Sequence, residues 1–233
     1  MLDRGLTILR IRGIPVRLHP SLLVFLPYLV FAATRQLDAV ARLLGIPRDA
    51  FRLPPLVWGV ILAVGLFVAV LAHELCHSLV AIRSGARVHA ITLMMLGGVS
   101  FIDGRLPPGR EAWMAFAGPL ASFAIAAVSF VIFRTVPLPP DALAAVFAFA
   151  MTNAVLAVFN LLPAFPMDGG RVVRGLLARW IGQARATAFA AKLGKVMAVA
   201  IALYALWSFN LFLLLIAWFV YAGARSEERV AAP

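Results

Sequence analysis

The amino-acid sequence predicts an α-helical polytopic membrane protein, with about six transmembrane helices and a small membrane-associated β hairpin or sheet. Composition is the first reason: 63% of the 233 residues are hydrophobic and 13% are charged, against about 45–50% and about 25% in soluble domains. The second reason is that several apolar stretches approach the roughly 20 residues that a bilayer-spanning helix needs. These observations exclude a disordered, fibrous or ordinary cytosolic protein. The single cysteine excludes a disulfide framework within the chain.

The N-terminal residues 1–20 are predicted to contain a strand. They lack the apolar core and the small-residue cleavage site of a secretory signal peptide. Ile14, Val16 and Leu18 alternate with other residues, which is typical of a short amphipathic strand. The sequence contains no internal repeat and no second soluble region, so we expect one domain over residues 1–233.

Six apolar stretches are the predicted transmembrane spans. The segment from residue 35 to residue 52 contains four arginines and two aspartates, which favours an extramembrane loop or surface helix. Between the second and third spans, the pair Gly97 and Gly98 permits a bulge or a close backbone approach, so residues 89–102 are predicted to form a hairpin. The predicted spans are residues 21–33, 55–82, 113–133, 141–162, 189–207 and 209–223.

The basic residues orient these spans in the membrane. With the N-terminus in the cytoplasm, 16 of the 21 lysines and arginines fall on the cytoplasmic side, including Arg4 and Arg105. This asymmetry predicts an integral protein of the cell (inner) membrane with both termini cytoplasmic. We assign the net charge of +11 to contact with the lipid bilayer rather than with nucleic acid, because no basic helix face with interleaved polar residues is present.

His73, Glu74 and His77 form an H-E-x-x-H sequence within the second span. Because positions i and i+4 share a helix face, both imidazoles can bind one metal ion, and Glu74 can act as general base on a metal-bound water. Three ionisable groups inside a span are costly and are seldom kept without a partner or a function. The alternative is a polar helix end at which these groups reach the interface or pair with one another.

A catalytic zinc site normally has three protein ligands, so the sequence must supply a third. Asp168 follows two prolines that break the fourth span, and Gly169 and Gly170 allow the backbone to direct its carboxylate inward. The residues leave open whether Asp168 binds a metal or caps the helix that begins near Gly169. Cys76 diverges from the histidine face and is expected to be a packing residue. The candidates for the third ligand are His19, His89, Asp103 and Asp168.

Two motifs together resemble the site-2 protease family of intramembrane metalloproteases. The H-E-x-x-H motif in a span is followed by N-x-x-P-x-x-P-x-D-G, which here runs from Asn160 to Gly169. The resemblance covers roughly residues 13–175 and extends to the Gly97–Gly98 pair. Relatives with a similar N-terminal start often carry C-terminal CBS modules. This sequence ends at Pro233 without one, and we expect either a minimal form or a shortened chain.

The resemblance implies a zinc endopeptidase with one Zn²⁺ per chain. It assigns the metal ligands to His73, His77 and Asp168, and it makes Glu74 the general base. Cleavage would then occur near the cytoplasmic side of the bilayer.

The resemblance also implies how a substrate binds. The substrate would be a transmembrane protein cleaved within or near its membrane segment, as in regulated intramembrane proteolysis. Asn160 would hold the substrate backbone or the developing oxyanion. Gly97 and Gly98 would belong to the strand that pairs with an unwound substrate, because a transmembrane helix hides its peptide bonds until it is extended.

Two alternatives come from other functional classes. A zinc transporter or channel is one, since intramembrane histidines and carboxylates also suit ion pathways. However, the chain lacks the paired broken helices in two related halves that transporters show. The other alternative is a catalytically inactive membrane scaffold, and the presence of all the catalytic groups weighs against it. The sequence does not indicate an oligomeric state.

Overall fold

The structure is a computed structural model that describes residues 5–95, 97–104 and 106–231, so Arg4 and Arg105 of the predicted charge distribution lie outside it. The predicted fold class is confirmed, since helices dominate and one small sheet is present. In chain order the elements are β1 (Leu6–Ile11), β2 (Ile14–Leu18), α1 (Pro20–Leu44), α2 (Pro55–Arg83), β3 (Arg87–Met94), β4 (Gly97–Asp103), α3 (Pro108–Thr135), α4 (Pro140–Asn160), α5 (Asp168–Ile181), α6 (Gln183–Trp207) and α7 (Leu211–Ala231).

Five helices in the described part of the chain are long and apolar enough to cross a membrane, namely α1, α2, α3, α4 and α6. They overlap the first five predicted spans. Helix α1 continues to Leu44, so the segment that begins at residue 35 is largely its C-terminal part rather than a loop. The sixth predicted span, 209–223, overlaps α7. That helix falls outside the group of five because its last turns carry charged residues such as Arg225 and Glu227.

The sheet has the strand order β1-β2-β3-β4. The N-terminal segment forms two antiparallel strands rather than one, and the chain reverses at Arg12 and Gly13, which both have positive φ angles as tight hairpins require. Strands β3 and β4 form the hairpin predicted for residues 89–102. The hairpins join through parallel pairing of β2 with β3. A parallel pair needs a long crossover, and α1 and α2 supply it.

The sheet packs on the half of α2 that carries the H-E-x-x-H sequence. Leu22 of α1, Val70 of α2 and Leu93 of β3 form one buried apolar cluster. Val70 lies about one helical turn before His73. Packing of this cluster therefore places the sheet beside the polar residues of α2.

The central part of the loop between α4 and α5 is buried in protein, while Pro163 is exposed. Phe165 is fully buried, and it forms a cluster with alanines of α6 and with Ala224 of α7. Ala198 of α6 likewise packs with Val220 of α7, so α6 and α7 run antiparallel. Non-helical backbone at membrane depth is tolerated only where protein surrounds it. These contacts satisfy that condition for the segment that leads to Asp168.

The close packing of α2 on α1 depends on Gly59. A Cβ atom at this position would overlap the carbonyl oxygen of Val30 and lie 2.7 Å from Cγ2 of Thr34. We expect Gly59→Ala to destabilise the protein by about 1–3 kcal/mol, because the two helix backbones must separate. The thermal unfolding midpoint of the detergent-purified protein measures this loss.

Gly65 provides the matched control on the same helix. There, a Cβ atom would make an ordinary contact of 3.5 Å with Phe149. We expect Gly65→Ala to leave the midpoint unchanged or to raise it, because alanine favours helix over glycine. Equal midpoints for Gly59→Ala and Gly65→Ala would contradict the close contact.

Candidate metal centre

Helix α2 directs His73 and His77 to one side. Both side chains are buried, and their ring centroids lie 4.7 Å apart. One nitrogen from each imidazole and one carboxylate oxygen of Glu74 lie within 4.8 Å of one another, so this group could hold a metal ion. The helical periodicity predicted this arrangement.

Asp168 joins this group from a distant part of the chain. Its Oδ2 atom lies 3.0 Å from Nε2 of His73 and 3.0 Å from Nε2 of His77. The N-cap of α5 is Met167, whose side chain makes no capping hydrogen bond. Between the two readings that the sequence left open, the geometry directs the Asp168 carboxylate to the imidazoles rather than to the helix end.

Helix α3 packs along the two histidines and contacts both imidazole rings. Nδ1 of His77 lies 2.7 Å from the carbonyl oxygen of Met114, and Nδ1 of His73 lies 3.0 Å from Oγ of Ser122. Between them, a Cβ atom at Gly118 would overlap Nε2 of His77. These α3 positions recur every four residues and therefore share one face. Sequence analysis missed the roles of Met114 and Ser122, although small residues four apart within a span are a signal of close helix packing.

The chemistry of these donors fits a bound cation. A carbonyl oxygen can only accept, so Nδ1 of His77 carries the proton that it donates to Met114. In a neutral imidazole, Nε2 then has only a lone pair, and this faces the Asp168 carboxylate at 3.0 Å. Two acceptors at that distance repel unless a cation or a second proton lies between them. Metal-binding histidines commonly donate their other ring N–H to a carbonyl group in this way.

The Asp168 carboxyl is an anion at neutral pH. Burial acts to raise its pKa, but while the two imidazoles are protonated, their charges and hydrogen bonds hold the pKa well below its usual range. Carboxylate oxygen and neutral imidazole nitrogen are both common zinc ligands. With a metal ion in place of the Nε2 protons, the set His73, His77 and Asp168 would combine two neutral ligands with one anionic ligand.

Strand β4 lies directly against Glu74. The Oγ atom of Ser100 donates a hydrogen bond of 2.7 Å to Oε2 of Glu74. A Cβ atom at Gly98 would lie 2.6 Å from Cγ of Glu74. Of the two glycines that the sequence singled out, Gly98 makes the close approach, while Gly97 begins the strand with a φ of 135°. Sequence analysis did not identify Ser100.

The other candidates for the third ligand are engaged elsewhere. His19 caps α1, and its Nδ1 accepts a hydrogen bond from the Ser21 amide. His89 and Asp103 lie 3.5 Å apart in an exposed pair across β3 and β4. Cys76 is a half-buried free thiol.

The two asparagines of α4 bond within their own helix. The Asn160 side chain donates to the Leu156 carbonyl at 2.9 Å, so the structure does not show it in contact with the histidines. Asn153 is fully buried and donates to the Phe149 carbonyl. Its Oδ1 atom has no hydrogen-bond partner among the described residues. Sequence analysis missed Asn153.

Ionic contacts hold the first turns of α5, the helix that begins at Asp168. The Arg174 guanidinium pairs with Glu111 of α3 and, at 3.1 Å, with Glu227 of α7. It also lies 4.9 Å from the centre of the Phe165 ring. Arg171 pairs with the same Glu227 at 3.3 Å. These contacts tie the helix that carries the carboxylate to α3, to α7 and to the preceding loop.

Comparisons with known proteins show what this chain is similar to. Residues 61–141 and 140–204 match peptidase family M50. A zinc metalloprotease of Methanocaldococcus jannaschii is 34% identical over 98% of this chain and 62% of its own length. The Mycobacterium tuberculosis protein Rip3 is 36% identical over 94% of this chain and 57% of its own length. The chain therefore spans about three fifths of the length of these curated relatives.

A solved structure extends the similarity to the fold. The site-2 protease from Methanocaldococcus jannaschii superimposes with a TM-score of 0.70 at 32% sequence identity. The match covers 97% of this chain and 95% of that one. The two proteins are therefore similar in sequence as well as in fold.

Because Gly118 has no side chain, the space next to the Nε2 atoms of His73 and His77 stays open. We expect Gly118→Ala to displace both imidazoles, because its Cβ atom would overlap Nε2 of His77 and lie 2.7 Å from Nε2 of His73. Elemental analysis should then find much less zinc than the roughly one ion per chain of a complete site. Gly109→Ala on the same helix is the control, since a Cβ atom there meets nothing within 4 Å. Full zinc content in Gly118→Ala would contradict the close approach of α3.

Arg174 pairs with two half-buried carboxylates at once. We expect Arg174→Met to lower stability by about 1.5–3 kcal/mol, because Glu111 and Glu227 lose their shared cation while Arg171 still pairs with Glu227. Denaturant or thermal unfolding in detergent measures this change. The same substitution at Arg179, exposed on the same helix, should change stability by no more than about 0.5 kcal/mol. Similar losses for the two variants would show that the network contributes little.

Proposed function

We propose, because this chain belongs to peptidase family M50, that it is an intramembrane zinc endopeptidase. Its substrate would be a membrane protein cleaved within or near the transmembrane segment. The observation that supports this most strongly is the convergence of Asp168 on His73 and His77, with Glu74 alongside. A carboxylate 91 residues from the second histidine has no local reason to lie there.

Three side chains would hold one Zn²⁺ per chain, namely His73, His77 and Asp168. When bound, the zinc ion polarises a carbonyl group and lowers the pKa of a water molecule towards about 7. Met114 keeps the His77 proton on Nδ1 and thereby leaves Nε2 as a ligand atom. The Ser122 hydroxyl bonds Nδ1 of His73 and orients the second ring.

Glu74 would act as the general base. Its carboxylate lies near the ligand atoms of His73 and His77. The hydroxyl of Ser100 on β4 donates a hydrogen bond to this carboxylate. As water attacks the scissile carbonyl carbon, Glu74 takes one of its protons. It then gives this proton to the amide nitrogen as the C–N bond breaks. The products are a new carboxyl terminus and a new amino terminus.

Strand β4 would receive the substrate. It is the last strand of the sheet, paired on one side with β3. A transmembrane helix satisfies its backbone groups internally, so the substrate must be extended before its peptide bond is accessible. An extended segment can then add to β4 through backbone hydrogen bonds. Gly97 and Gly98 would keep this strand close to Glu74. The Asn160 amide donates one hydrogen to the Leu156 carbonyl, and its other hydrogen would bind the substrate backbone or the oxyanion.

The protein is an integral membrane protein, and we propose that both termini lie in the cytoplasm of the cell with the active site towards that side. The excess of basic residues in the predicted cytoplasmic segments supports this orientation. Helix α7 supports an even number of crossings. It overlaps the sixth predicted span and runs antiparallel to α6, so it returns the chain towards the side at which α6 begins.

Metal content separates the ligands from the base. We expect the detergent-purified protein to contain about one zinc per chain, and His73→Ala and Asp168→Ala to lose it, because each removes a ligand. Glu74→Gln should retain zinc. Zinc retained in Asp168→Ala would overturn this ligand set and return Asp168 to a role in the helix end.

Cleavage of a transmembrane peptide in proteoliposomes then tests the reaction. We expect Glu74→Gln to lower the cleavage rate by about 10²-fold to 10⁴-fold, because the general base is lost. A wild-type protein that holds zinc but cleaves no membrane peptide would favour an inactive scaffold. Zinc flux across the vesicle membrane that changes in Glu74→Gln would favour a transporter.

A further inference from the structure

We propose that Ser100 is a positioning residue for the hydrolysis: its hydroxyl holds the Glu74 carboxylate in place for proton transfer. The same strand, β4, would then bind the substrate and orient the general base. This inference rests on the proposed function of Glu74. It adds a role for the sheet beyond substrate binding.

The hydrogen bonds around Ser100 assign its single proton. The hydroxyl oxygen lies 2.7 Å from Oε2 of Glu74 and 3.3 Å from the backbone carbonyl oxygen of the same residue. The carboxylate is closer and charged, and it is therefore the stronger acceptor. The Ser78 hydroxyl lies 3.1 Å from that of Ser100 and can donate to it. Ser100 thus accepts one hydrogen bond and gives its proton to Glu74.

Gly98 and Ser100 act on Glu74 together. Residues two apart on a strand face the same side of the sheet, and here both face α2. The lack of a side chain at Gly98 lets the strand approach to where a Cβ atom would be 2.6 Å from Glu74 Cγ. This approach brings the Ser100 hydroxyl within reach of the carboxylate. A bulkier residue at position 98 would move the donor away from the base.

A fixed base matters because proton transfer needs hydrogen-bond reach. Glutamate has several rotatable bonds, so an unrestrained Glu74 would spend much of its time out of position. The Ser100 hydrogen bond engages Oε2, which leaves Oε1 to take the proton from water. Misplacement of a catalytic group by about 1 Å can lower a rate by about 10²-fold.

The position of Ser100 in the sheet also links the base to the substrate. Its backbone pairs with Ile91 of β3 on one side. A substrate strand added on the other side would be aligned to β4 by its backbone hydrogen bonds. Strand β4 would then fix the distance from the scissile bond to Glu74. Its backbone would align the substrate, and the Ser100 side chain would hold Glu74.

Steady-state kinetics of the zinc-loaded full chain in proteoliposomes tests this role. We expect Ser100→Ala to keep its zinc and its KM but to lose about 10-fold to 100-fold in kcat, as for loss of a hydrogen bond to a charged group. Ser100→Thr keeps the hydroxyl and should restore most of the rate. Ser129→Ala, at a buried serine of α3 away from the site, is the matched control and should match the wild type.

Several results would overturn the proposal. An unchanged kcat per bound zinc in Ser100→Ala would do so. A zinc-loaded Ser100→Thr variant as slow as Ser100→Ala would show that the hydroxyl is not the reason for the loss. If the wild type cleaves nothing, the proposed function itself is refuted, and the hydrogen bond is then tested by infrared spectroscopy. The carboxylate band of Glu74 is the one that disappears in Glu74→Gln. We expect this band to shift in Ser100→Ala, and an unshifted band would refute the hydrogen bond.

Discussion

The structure depends on one electrostatic constraint: a carboxylate and two imidazoles meet inside an apolar helical protein. Oδ2 of Asp168 lies 3.0 Å from both Nε2 atoms, and the His77 proton is committed to Met114 on the other ring nitrogen. Acceptors this close together repel in a poorly hydrated site unless a cation or a second proton lies between them. Zinc satisfies the constraint with the ligand types present. The surrounding helices serve to bring these groups together and keep them there.

Each neighbouring element meets this constraint by a different physical means. Helix α3 approaches closely because Gly118 has no side chain, and it orients both rings through its backbone and Ser122. Helix α5 is held by ionic contacts of Arg174 to two other helices. The loop before α5 is packed around Phe165. Close packing, charge pairing and apolar burial together position one carboxylate.

The small sheet gives the proposed reaction its geometry. A membrane protease must handle an extended peptide where water and backbone donors are scarce. A strand edge supplies backbone hydrogen bonds without needing a particular substrate sequence. Because β4 also contacts the base through Gly98 and Ser100, peptide binding and proton transfer can be coordinated by one element. This arrangement would give the sheet edge at β4 a function in the proposed reaction.

The sequence by itself determined the membrane class, the five helices that are long and apolar enough to cross a membrane, and the shared face of His73 and His77. Hydropathy and helical periodicity depend on residues close in the chain, so a local pattern reveals them. It also singled out Asp168, but left open whether this residue is a metal ligand or a helix cap. Tertiary structure alone decided where that carboxylate points, that β2 pairs with β3, and that Ser122 and Ser100 contact the site residues. Those contacts join elements far apart in sequence. They follow from how whole helices and strands pack, which no local pattern specifies.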